Sequence, residues 1–531
     1  MTHSARIEPG AAPVVPVHRA EMVIVGGGGS GLTAAIVAAT MGRKVIVLEK
    51  NAEPGGSTIR SIGSISATRT RHQIREGIED SPEEHFEDFG KFNDAIKEKL
   101  WKGFDNHDNL TLRKILVDNV RDSIAFLESI GVRFYGPTLE APHRKPRMHN
   151  VLPNSRAYGY WLVKRARKLG VDIRSERRVN RLVWNGSRVE AVECLGPDGA
   201  VERYEASGAI VLACGDYSAS KELKQRYARP EFVNMRTSCN PANTGDGHVM
   251  AMDLGARILN SHMVFARVRF EPPPRRAFVH ALPPWKPLTM FMEMSLKYMP
   301  SWLLRPFIMS FLTTVLEAQP SLFRHGAIMV NKRGDRFCDE LNHPEYQLVA
   351  QPDQQAFIVF DERLAKKYSS YPNFVSTAPG VAYAYVPDYA RSRKDVFYKA
   401  PTIEALAKAI GADPETLAET IAVRNATIGV SPCETLTIEQ GPFYAMGPVS
   451  CFVPGTEAGL AIDEQFRILG ADDAPIPGLF GAGILAQGGV MLEGHGHHLG
   501  WAFTSGRLAG RFAAEYAAQS VAARHPVPSK A

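Results

Sequence analysis

The clearest pattern of apolar and polar segments lies between residues 22 and 49. Residues 22–25 are an apolar run suited to a buried parallel strand, and residues 32–40 are an Ala-rich helical stretch that Gly42 ends. A second apolar run covers residues 44–48. A strand, a helix and a strand in this order predict a βαβ unit of a parallel sheet.

Similar patterns recur further along the chain. Residues 158–168 predict a helix with a basic last turn, and residues 171–174, 179–184 and 209–213 predict strands. Residues 499–517 predict a last helix after a Gly-rich segment. Strands that alternate with helices indicate an α/β fold.

The turn after the first strand carries Gly26, Gly28 and Gly31 in the spacing G-x-G-x-x-G. Gly26 allows a tight turn, Gly28 lets the backbone approach a pyrophosphate, and Gly31 lets the helix pack closely on the strand. The helix N-terminus carries a partial positive charge that favours phosphate. Glu49 ends the second strand, where its carboxylate can accept hydrogen bonds from both ribose hydroxyls of a dinucleotide.

Residues beyond this unit favour FAD over NAD. A Gly55-Gly56-Ser57-Thr58 turn follows Glu49. It suits a long, bent FAD because the glycines let the backbone pass the pyrophosphate while the hydroxyls reach flavin or phosphate. Short elements of the same kind stand at residues 213–215, 244–247 and 477–483. Since they are far apart in sequence, we expect them to close on one elongated cofactor.

Composition adds limits to this picture. The 531 residues are 44% hydrophobic, so we expect a large core and more than one domain. The six cysteines lack C-x-x-C and C-x-x-C-H spacings, which argues against zinc, attached haem and a disulfide framework. Residues 1–19 lack an apolar leader, so we expect a disordered tail and a cytoplasmic protein. The net charge of +6 suits an anionic cofactor, and no basic stripe with interleaved aromatics indicates nucleic acid.

Residues 285–318 are unusually rich in methionine, aromatic residues and leucine. Lys297, Arg305 and Glu317 interrupt the segment, so no uncharged run reaches the length of a membrane span. Three interpretations remain open. The segment can be a buried helix pair, a flexible Met-rich wall for a bulky apolar substrate, or a peripheral membrane contact through which a lipophilic substrate enters.

The order of these motifs resembles that of the fumarate reductase and 3-ketosteroid dehydrogenase superfamily of FAD flavoproteins. Two more motifs agree, the Gly-x-Arg-Phe-x-x-Glu element at residues 334–340 and the segment 456–463. Together the matches cover residues 20–517. The resemblance implies an α/β fold in which a Rossmann-like FAD-binding domain is interrupted by an α+β substrate-capping domain.

On that plan, residues 20–267 and 444–520 form the FAD-binding domain, residues 268–443 form the cap, and residues 521–531 are a tail. Residues 56–63, the usual position of a covalent flavin, contain no histidine, so we expect non-covalent FAD. The resemblance also implies the residues that bind FAD, namely Gly26, Gly28, Gly29, Ser30, Gly31, Glu49, Lys50, Gly55, Gly56, Ser57, Thr58, Val179, Ala213, Gly215, Thr244, Asp246, Gly247, Gly483, Leu499 and Gly500.

The superfamily makes or reduces a C=C bond beside a carbonyl. That reaction needs a donor for the enolate oxygen and an acid or base at the neighbouring carbon. The arginine that donates the proton in fumarate reductases is absent after Glu340. The ketosteroid dehydrogenase pattern, a proline and a catalytic tyrosine, fits better, and here Pro344 and Tyr346 follow.

The C-terminal pattern of the ketosteroid dehydrogenases matches residues 494–509. There the N–H of Gly496 would bind the substrate ketone, and the helix near Leu499 would face the flavin. The family's second tyrosine is replaced by Leu492. We therefore expect one nearby histidine to act as ketone donor or proton shuttle, among His495, His497 and His498. No further ligand stands at a spacing that suits a metal, so we expect none.

The sequence thus predicts an FAD-dependent oxidoreductase of CH–CH groups with a bulky apolar ketone, such as a steroid or a terpenoid, as substrate. Dehydrogenation and ene-reduction both stay open, as does the electron acceptor or donor. One alternative is a soluble, fumarate-reductase-like enoate reductase. Another is a flavoprotein subunit that passes electrons to a partner at the membrane surface. The basic segment 143–149 has two interpretations. It either binds a carboxylate or a CoA phosphate of the substrate, or it is a solvated loop.

Overall fold

The computed structural model describes residues 15–274, 278–313, 317–378, 382–428 and 435–524. Its strands, numbered in chain order, are β1 (Val17–Val25), β2 (Val45–Leu48), β3 (Ser64–Ser66), β4 (Arg133–Thr138), β5 (Met148–Leu152), β6 (Asp172–Arg174), β7 (Arg178–Trp184), β8 (Val189–Leu195), β9 (Val201–Leu212), β10 (Arg236–Thr237), β11 (Ile258–Leu259), β12 (Arg267–Phe270), β13 (Ile328–Asn331), β14 (Gln355–Asp361), β15 (Ser376–Ala378), β16 (Ala382–Ala384), β17 (Phe397–Ala400), β18 (Phe443–Val453), β19 (Gly459–Leu460), β20 (Arg467–Leu469) and β21 (Pro475–Gly481).

The α-helices are α1 (Gly29–Thr40), α2 (Arg71–Arg75), α3 (Pro82–Leu100), α4 (Leu110–Ile130), α5 (Arg156–Lys168), α6 (Lys221–Tyr227), α7 (Asp246–Met252), α8 (Lys286–Tyr298), α9 (Ser301–Leu312), α10 (Pro320–Arg324), α11 (Pro344–Leu348), α12 (Glu362–Lys367), α13 (Val386–Ser392), α14 (Ile403–Ile410), α15 (Pro414–Ile428) and α16 (His497–Arg524). Short 3₁₀ helices lie at Thr58–Arg60, Pro230–Phe232, Phe278–Ala281, Pro352–Gln354 and Ile484–Ala486.

The βαβ unit has the form that the sequence pattern predicts. β1 and β2 pair in parallel, from Met22 opposite Val45 to Val25 opposite Leu48, and α1 connects them. Both strands are buried along these residues, as expected for a parallel sheet covered on both faces. The predicted α/β class is therefore confirmed.

The larger sheet runs in the order β20-β21-β9-β1-β2-β6, and β8 and β7 continue it from β9. The long helix α16 packs on this sheet and on α1. The approach is close because Gly506 and Gly510 of α16 lie against the backbone of Ser30 and Ala34 in α1, where a Cβ would come within about 2.6 Å. This contact places the first turn of α16 beside the glycine turn of β1.

The ends of the chain differ from expectation. β1 begins at Val17, and residues 17–19 pair with residues 203–205 of β9, so they are strand and not tail. At the other end, α16 continues through residue 524. Residues 15 and 16 precede β1 and are exposed, and the rest of the two expected tails, residues 1–14 and 525–531, lies outside the described residues.

The second sheet has the order β10-β18-β14-β13, with β12 and β17 also paired to β18. Its central strand is β18, which is buried along almost its whole length. The predicted boundary between residues 443 and 444 therefore falls at the start of a strand that belongs with the cap. Pairing in this sheet favours a return to the FAD-binding domain after residue 453. A separate three-stranded sheet, β3-β5-β4, holds the loop of residues 139–147.

Candidate active site

The turn between β1 and α1 has the geometry that a dinucleotide requires. Gly26 has a φ of +107°, and a side chain there would run into the Ala213 carbonyl. A Cβ at Gly31 would lie 1.9 Å from the Gly26 carbonyl oxygen, so the helix can approach the strand only because this residue is glycine. At Gly28 a Cβ would meet no atom within 4 Å, which leaves room for a pyrophosphate beside the helix N-terminus.

Glu49 lies buried at the end of β2 and is held in place by backbone donors. One carboxylate oxygen accepts a hydrogen bond from the Gly27 N–H at 2.8 Å. The other accepts bonds from the backbone and side-chain nitrogens of Asn51, both at 2.8 Å. The oxygen bound by Gly27 has accepted one hydrogen bond and keeps acceptor capacity for a ribose hydroxyl.

Lys50 connects the first motif to a segment almost 200 residues later. Its ammonium donates to Thr244 Oγ1 at 2.7 Å and to Asp246 Oδ2 at 2.9 Å. Burial alone would raise the pKa of Asp246, but the hydrogen bond and charge of Lys50 outweigh it and lower the pKa. The Thr-Gly-Asp-Gly segment is therefore fixed at the cofactor site by an ion pair. Gly247 serves packing instead, since a Cβ there would meet Leu485 at 2.3 Å.

The Gly-Gly-Ser-Thr turn lies directly against the glycine turn of β1. The Gly55 N–H donates to the Gly27 carbonyl at 2.8 Å, and Thr58 Oγ1 accepts from the Gly29 N–H at 3.2 Å. Ser57 Oγ accepts from the Asn240 N–H and from Asn243 Nδ2. Sequence analysis missed Asn240 and Asn243, for which no motif gave a signal.

A cavity of about 680 Å³ extends from this turn to the loop of residues 494–498. Most of the residues predicted to bind FAD line it, namely Gly26, Gly28, Gly29, Ser30, Glu49, Lys50, Gly56, Ser57, Thr58, Val179, Ala213, Gly215, Asp246, Gly483 and Leu499. The other predicted FAD-binding residues do not line the cavity, namely Gly31, Gly55, Thr244, Gly247 and Gly500. The open space at Gly28, the held Glu49 carboxylate and the length of the cavity fit FAD.

His495 lies at the far end of this cavity and is paired with Glu140. Its Nδ1 bonds the Glu140 carboxylate, and its backbone N–H donates to the other carboxylate oxygen at 3.1 Å. Burial alone would lower the pKa of His495, but the hydrogen bond and charge of Glu140 outweigh it and raise the pKa. The side chain lies deep in the protein and is still 41% exposed, because that surface faces the cavity.

His498 repeats this arrangement with a different carboxylate. Its Nε2 lies 2.8 Å from Glu457 Oε1, and Glu457 is buried. Burial lowers the pKa of His498, but the charge of Glu457 and its hydrogen bond raise it above the ordinary value. Glu457 also accepts the N–H of Leu492, the residue that replaces the family's second tyrosine. Both histidines keep one ring nitrogen without a partner among the described residues, and both line the cavity.

Gly496 separates these two histidines and lies against β3. Ser66 Oγ donates to the His495 carbonyl at 2.7 Å and fixes the loop. A Cβ at Gly496 would come 2.3 Å from the Ser66 nitrogen, and its φ is +88°, so both space and conformation require glycine. Gly496 lines the cavity, and its N–H donates to no acceptor in the described part of the chain.

His497 points away from the cavity, into a buried cluster with His85 and His143. It stacks on Phe89 at a ring distance of 3.8 Å, and its Nδ1–H donates to the Glu493 carbonyl at 2.5 Å. Burial holds the pKa of His85 and His497 well below the ordinary value and lowers that of His143 to about 4. The three side chains are therefore neutral at pH 7.

The three histidines place one nitrogen each within 4.8 Å of the others, a grouping that the sequence did not reveal. Arg147 argues against a metal here. Its Nη1 donates to His143 Nδ1 at 3.0 Å, so neutral His143 carries its hydrogen on Nε2 and offers no lone pair there. Arg147 also adds a positive charge beside the cluster. The geometry fits packed neutral histidines better than the ligands of a cation.

The basic segment 143–149 is largely built into the protein. Arg147 is buried between Asp80, which it contacts with two nitrogens, and Asp88 at 2.7 Å. His149 is also buried and lies 2.8 Å from Thr70 Oγ1. These contacts leave neither side chain available to grip a carboxylate or a phosphate of a substrate.

Two arginines that sequence analysis did not single out line the cavity beside the histidines. Arg267 donates to Glu493 Oε1 at 3.2 Å and lies 3.8 Å from Glu317. Arg269 lies 3.5 Å from Glu317. Burial raises the pKa of Glu493 although Arg267 opposes this. Each cation of this group thus has a carboxylate beside it.

Tyr346 does not line this cavity. It lies on α11 against Arg229, whose guanidinium is 5.2 Å from the ring centre, and near Phe232. There it borders a separate cavity of about 160 Å³. Phe265 lines both cavities and separates the tyrosine from the histidines.

A dinucleotide cradle that continues into a cavity lined by paired histidines and carboxylates defines an FAD-dependent oxidoreductase of CH–CH groups. Residues 21–276 and 308–494 match the FAD binding domain family, and the chain belongs to it. The chain is 28% identical over 524 residues to the probable fumarate reductase Ifc3 of Shewanella frigidimarina, which covers 94% of this chain and 76% of that protein. The predicted superfamily is therefore confirmed.

Solved structures agree with this assignment. The open conformation of a flavocytochrome c3 fumarate reductase is similar with a TM-score of 0.72 and 26% identity, over 94% of this chain and 79% of that one. The 3-ketosteroid-Δ4-(5α)-dehydrogenase of Rhodococcus jostii RHA1 shares the fold, with a TM-score of 0.58 and 22% identity over 94% and 97% of the two chains. Within the described ranges, every helix is too short or too polar to cross a bilayer.

Proposed function

We propose that the chain binds FAD non-covalently and oxidises or reduces a CH–CH bond beside the carbonyl of a bulky, neutral ketone. Bound FAD supplies hydride transfer. The protein must then hold the substrate, stabilise negative charge on the carbonyl oxygen and move one proton at the neighbouring carbon. A steroid or a terpenoid ketone is the substrate class that we favour.

The observation that carries this proposal is the pair of histidines that face the cavity. Glu140 and Glu457 raise the pKa of His495 and His498 against the effect of burial, and the free nitrogen of each ring presents an N–H to the cavity when the ring is protonated. A charged donor of this kind stabilises a developing enolate more strongly than a neutral one. We assign one imidazolium to the carbonyl oxygen together with the Gly496 N–H. We assign the other histidine to proton transfer, as an imidazolium that gives a proton to carbon in reduction, or as a neutral imidazole that takes it from carbon in dehydrogenation.

The charge balance at this end of the cavity supports a neutral substrate. Arg267 and Arg269 are already matched by Glu493 and Glu317, and a dicarboxylate would have to displace these partners. Phe92 and Phe265 add apolar wall to the same part of the cavity. A ketone needs hydrogen-bond donors and apolar surface, and both are present.

The alternative is an unsaturated acid as substrate. It depends on Arg60, which lines the cavity and has no carboxylate partner among the described residues. Substitution of Arg60 by Met would raise KM for an unsaturated acid and leave that for a ketone unchanged. The two substrate classes can therefore be separated by one variant.

The proposal includes an electron partner, either a soluble donor or acceptor or another protein at the membrane surface. Electron transfer to such a partner without turnover of a small molecule is the second functional class. It would leave the histidine pair without a role, whereas catalysis uses both histidines. Peripheral membrane contact through residues 285–318 is compatible with either class.

The test is stopped-flow absorbance of the FAD-loaded protein. Saturated steroid and terpenoid ketones should reduce the flavin, or the matching unsaturated ketones should reoxidise the dithionite-reduced protein. We expect His495→Gln and His498→Gln to lower the rate about 10²–10³-fold, since each removes one charged donor. The rate of reoxidation by unsaturated ketones should fall as the pH rises past the raised pKa of these histidines, because proton donation to carbon needs an imidazolium.

Tyr346→Phe and the exposed His107→Gln are the matched controls, and both should keep the wild-type rate. Acid precipitation should release FAD into the supernatant, and colour in the pellet would contradict non-covalent binding. If both cavity histidines are replaceable while Tyr346→Phe is slow, the reaction centre lies at the smaller cavity. Turnover of unsaturated acids alone would favour the alternative substrate class.

A further inference from the structure

The helix α8 has its apolar side turned outward. Met290, Phe291, Met294 and Tyr298 recur at the spacing of one helix face, and all four are exposed, Phe291 to 64%. The buried residues of the same helix are polar, for example Thr289. A surface helix of a water-soluble domain has the opposite arrangement, so the outer face of α8 is shaped to contact something apolar.

The next helix, α9, also exposes large apolar side chains, while Met309 on its other side is buried. Trp302, Leu303 and Phe307 recur on one face and are exposed, Trp302 to 72%. Just before α8, Trp285 is also exposed, as is Phe278. We call the exposed residues of α8 and α9, together with these two, the apolar face. It holds more large exposed apolar side chains than any other segment of similar length in the described chain.

Charges around the apolar face are mainly basic. Between residues 278 and 313 the charged residues are Lys286, Glu293, Lys297 and Arg305. Glu293, the acidic member, turns inward, where Arg133 pairs with it at 3.0 Å. Lys286 is exposed at the start of α8, whereas Lys297 near its end pairs with Glu76 at 2.9 Å. Tryptophan, tyrosine, phenylalanine and lysine on one in-plane surface are typical of the interface between lipid headgroups and acyl chains.

We infer that the apolar face inserts into the surface of a lipid bilayer and holds the protein there. A bilayer fits better than a second copy of the chain, because two such faces would bring two Lys286 side chains near each other, whereas anionic headgroups neutralise this charge. Helices α8 and α9 would lie in the membrane plane, α8 with the polar Thr289 and Ser295 turned to the protein and α9 held to the protein core through Met309.

The apolar face is also close to the cavity along the chain. α9 ends at Leu312, and Glu317 and Gln319 line the cavity. Five residues of chain span at most about 18 Å, so the bilayer surface would lie near the substrate end. On the proposed function, which this step assumes, a lipophilic ketone would enter from the bilayer and not from water.

The first experiment is flotation of the FAD-loaded protein with vesicles of phosphatidylcholine, and of phosphatidylcholine mixed with phosphatidylserine. Wild type should float with both, and more with the mixture. A triple variant with Phe291→Ser, Trp302→Ser and Phe307→Ser should lose vesicle binding at least about a hundredfold, because it removes three inserting aromatics. FAD absorbance and the unfolding temperature establish that the variant is folded.

The control is a second triple variant with Trp184→Ser, Val201→Ser and Val423→Ser, which are exposed apolar residues outside the apolar face. It should float like wild type. Wild type that stays in the bottom fraction with both vesicles would overturn the inference. So would a dimer in analytical ultracentrifugation that the first triple variant abolishes without any vesicle binding by wild type, since the face would then be a self-interface.

A second measurement uses the unaltered protein. Brominated phosphatidylcholine should quench the emission of Trp285 and Trp302, because both would lie among the acyl chains. Flotation without quenching would mean that charge alone holds the protein, and it would overturn insertion. These assays need no substrate, whereas the ketone assay runs without vesicles. Failure of the membrane inference and failure of the proposed function are therefore distinguishable.

Discussion

Acidification should destabilise this protein steeply between pH 6.5 and pH 5. Five buried histidines are kept neutral in the folded state, namely His85, His143, His149, His248 and His497. Burial lowers the pKa to about 4 in His143 and His248 and to about 3 in His149, and it holds the pKa of His85 and His497 well below the ordinary value. All five must take up a proton on unfolding at acid pH.

The sign follows from the proton balance. In the unfolded chain these histidines have the ordinary pKa of about 6.5. At a pH between that value and their folded pKa values, the unfolded chain binds more protons than the folded protein, so the free energy of unfolding falls as the pH falls. Each such proton contributes about 1.4 kcal/mol per pH unit. Five histidines that are about 90% protonated when unfolded give a slope of about 6 kcal/mol per pH unit near pH 5.5. Burial raises the pKa of Asp108, Asp216 and Glu493, and these carboxyl groups reduce the slope.

Above pH 6.5 the free energy of unfolding should instead fall as the pH rises. The pKa of His495 and of His498 is raised in the folded state, so their contribution is complete below 6.5 and is lost as the pH rises through the folded values. Stability should therefore pass through a maximum near neutral pH. A net stability of about 5–15 kcal/mol is typical of domains, so at this slope about one to two and a half pH units of acidification offset it.

His248 offers the cleanest test. Neither of its ring nitrogens has a partner at hydrogen-bonding geometry, and the Ala458 backbone raises its pKa less than burial lowers it. His248→Phe should therefore cost no hydrogen bond and reduce the acid slope by about 1.4 kcal/mol per pH unit. Urea unfolding from pH 5 to 8, followed by flavin fluorescence and circular dichroism, measures the slope. Exposed His107→Phe should leave it unchanged, and an equal slope in wild type and His248→Phe would refute the reasoning.

Two other substitutions test the cofactor site and the buried ion pairs beside it. Glu49→Gln should weaken FAD binding about 10–100-fold in a fluorescence titration, because the charged acceptor for ribose becomes neutral. Exposed Glu53→Gln should bind FAD as wild type does, and equal affinity of the two variants would show that Glu49 does not bind FAD. Arg147→Met should lower the free energy of unfolding by about 3–5 kcal/mol in a urea titration, since it leaves Asp80 and Asp88 buried without their partner. Exposed Arg144→Met is the control, because Arg144 also binds Asp88, and it should lower the free energy of unfolding much less.

The FAD cradle could be predicted because its signal is local. The apolar runs, the spacing of Gly26, Gly28 and Gly31, and Glu49 all lie within 28 residues, and strand and helix periodicity fix their relative positions. The predicted strands, α5 and α16 were found for the same reason. Boundaries were less accurate where pairing decided them, as in residues 17–19 and in β18, because strand ends depend on partners far away in sequence.

The chemistry at the substrate end depended on tertiary contacts. The sequence placed His495, His497 and His498 side by side, but helix geometry and packing separate them. Two face the cavity, where Glu140 and Glu457 raise their pKa, while His497 is turned into the buried cluster. The carboxylate of Glu140 comes from 355 residues earlier in the chain, so no spacing rule could have paired it.

The apolar segment of residues 285–318 is another feature whose role the sequence alone left open. Its composition was evident from residues 285–318, and burial, a pocket wall and membrane contact all remained open. Only the packing of α8 on β4 and β5, which buries Thr289 and exposes Phe291, decides which side of the helix faces outward. Sequence determines which local structures are stable and which cofactor they can bind. Burial, charge pairing and the pKa of each side chain depend on neighbours that folding brings together, and these belong to the tertiary structure.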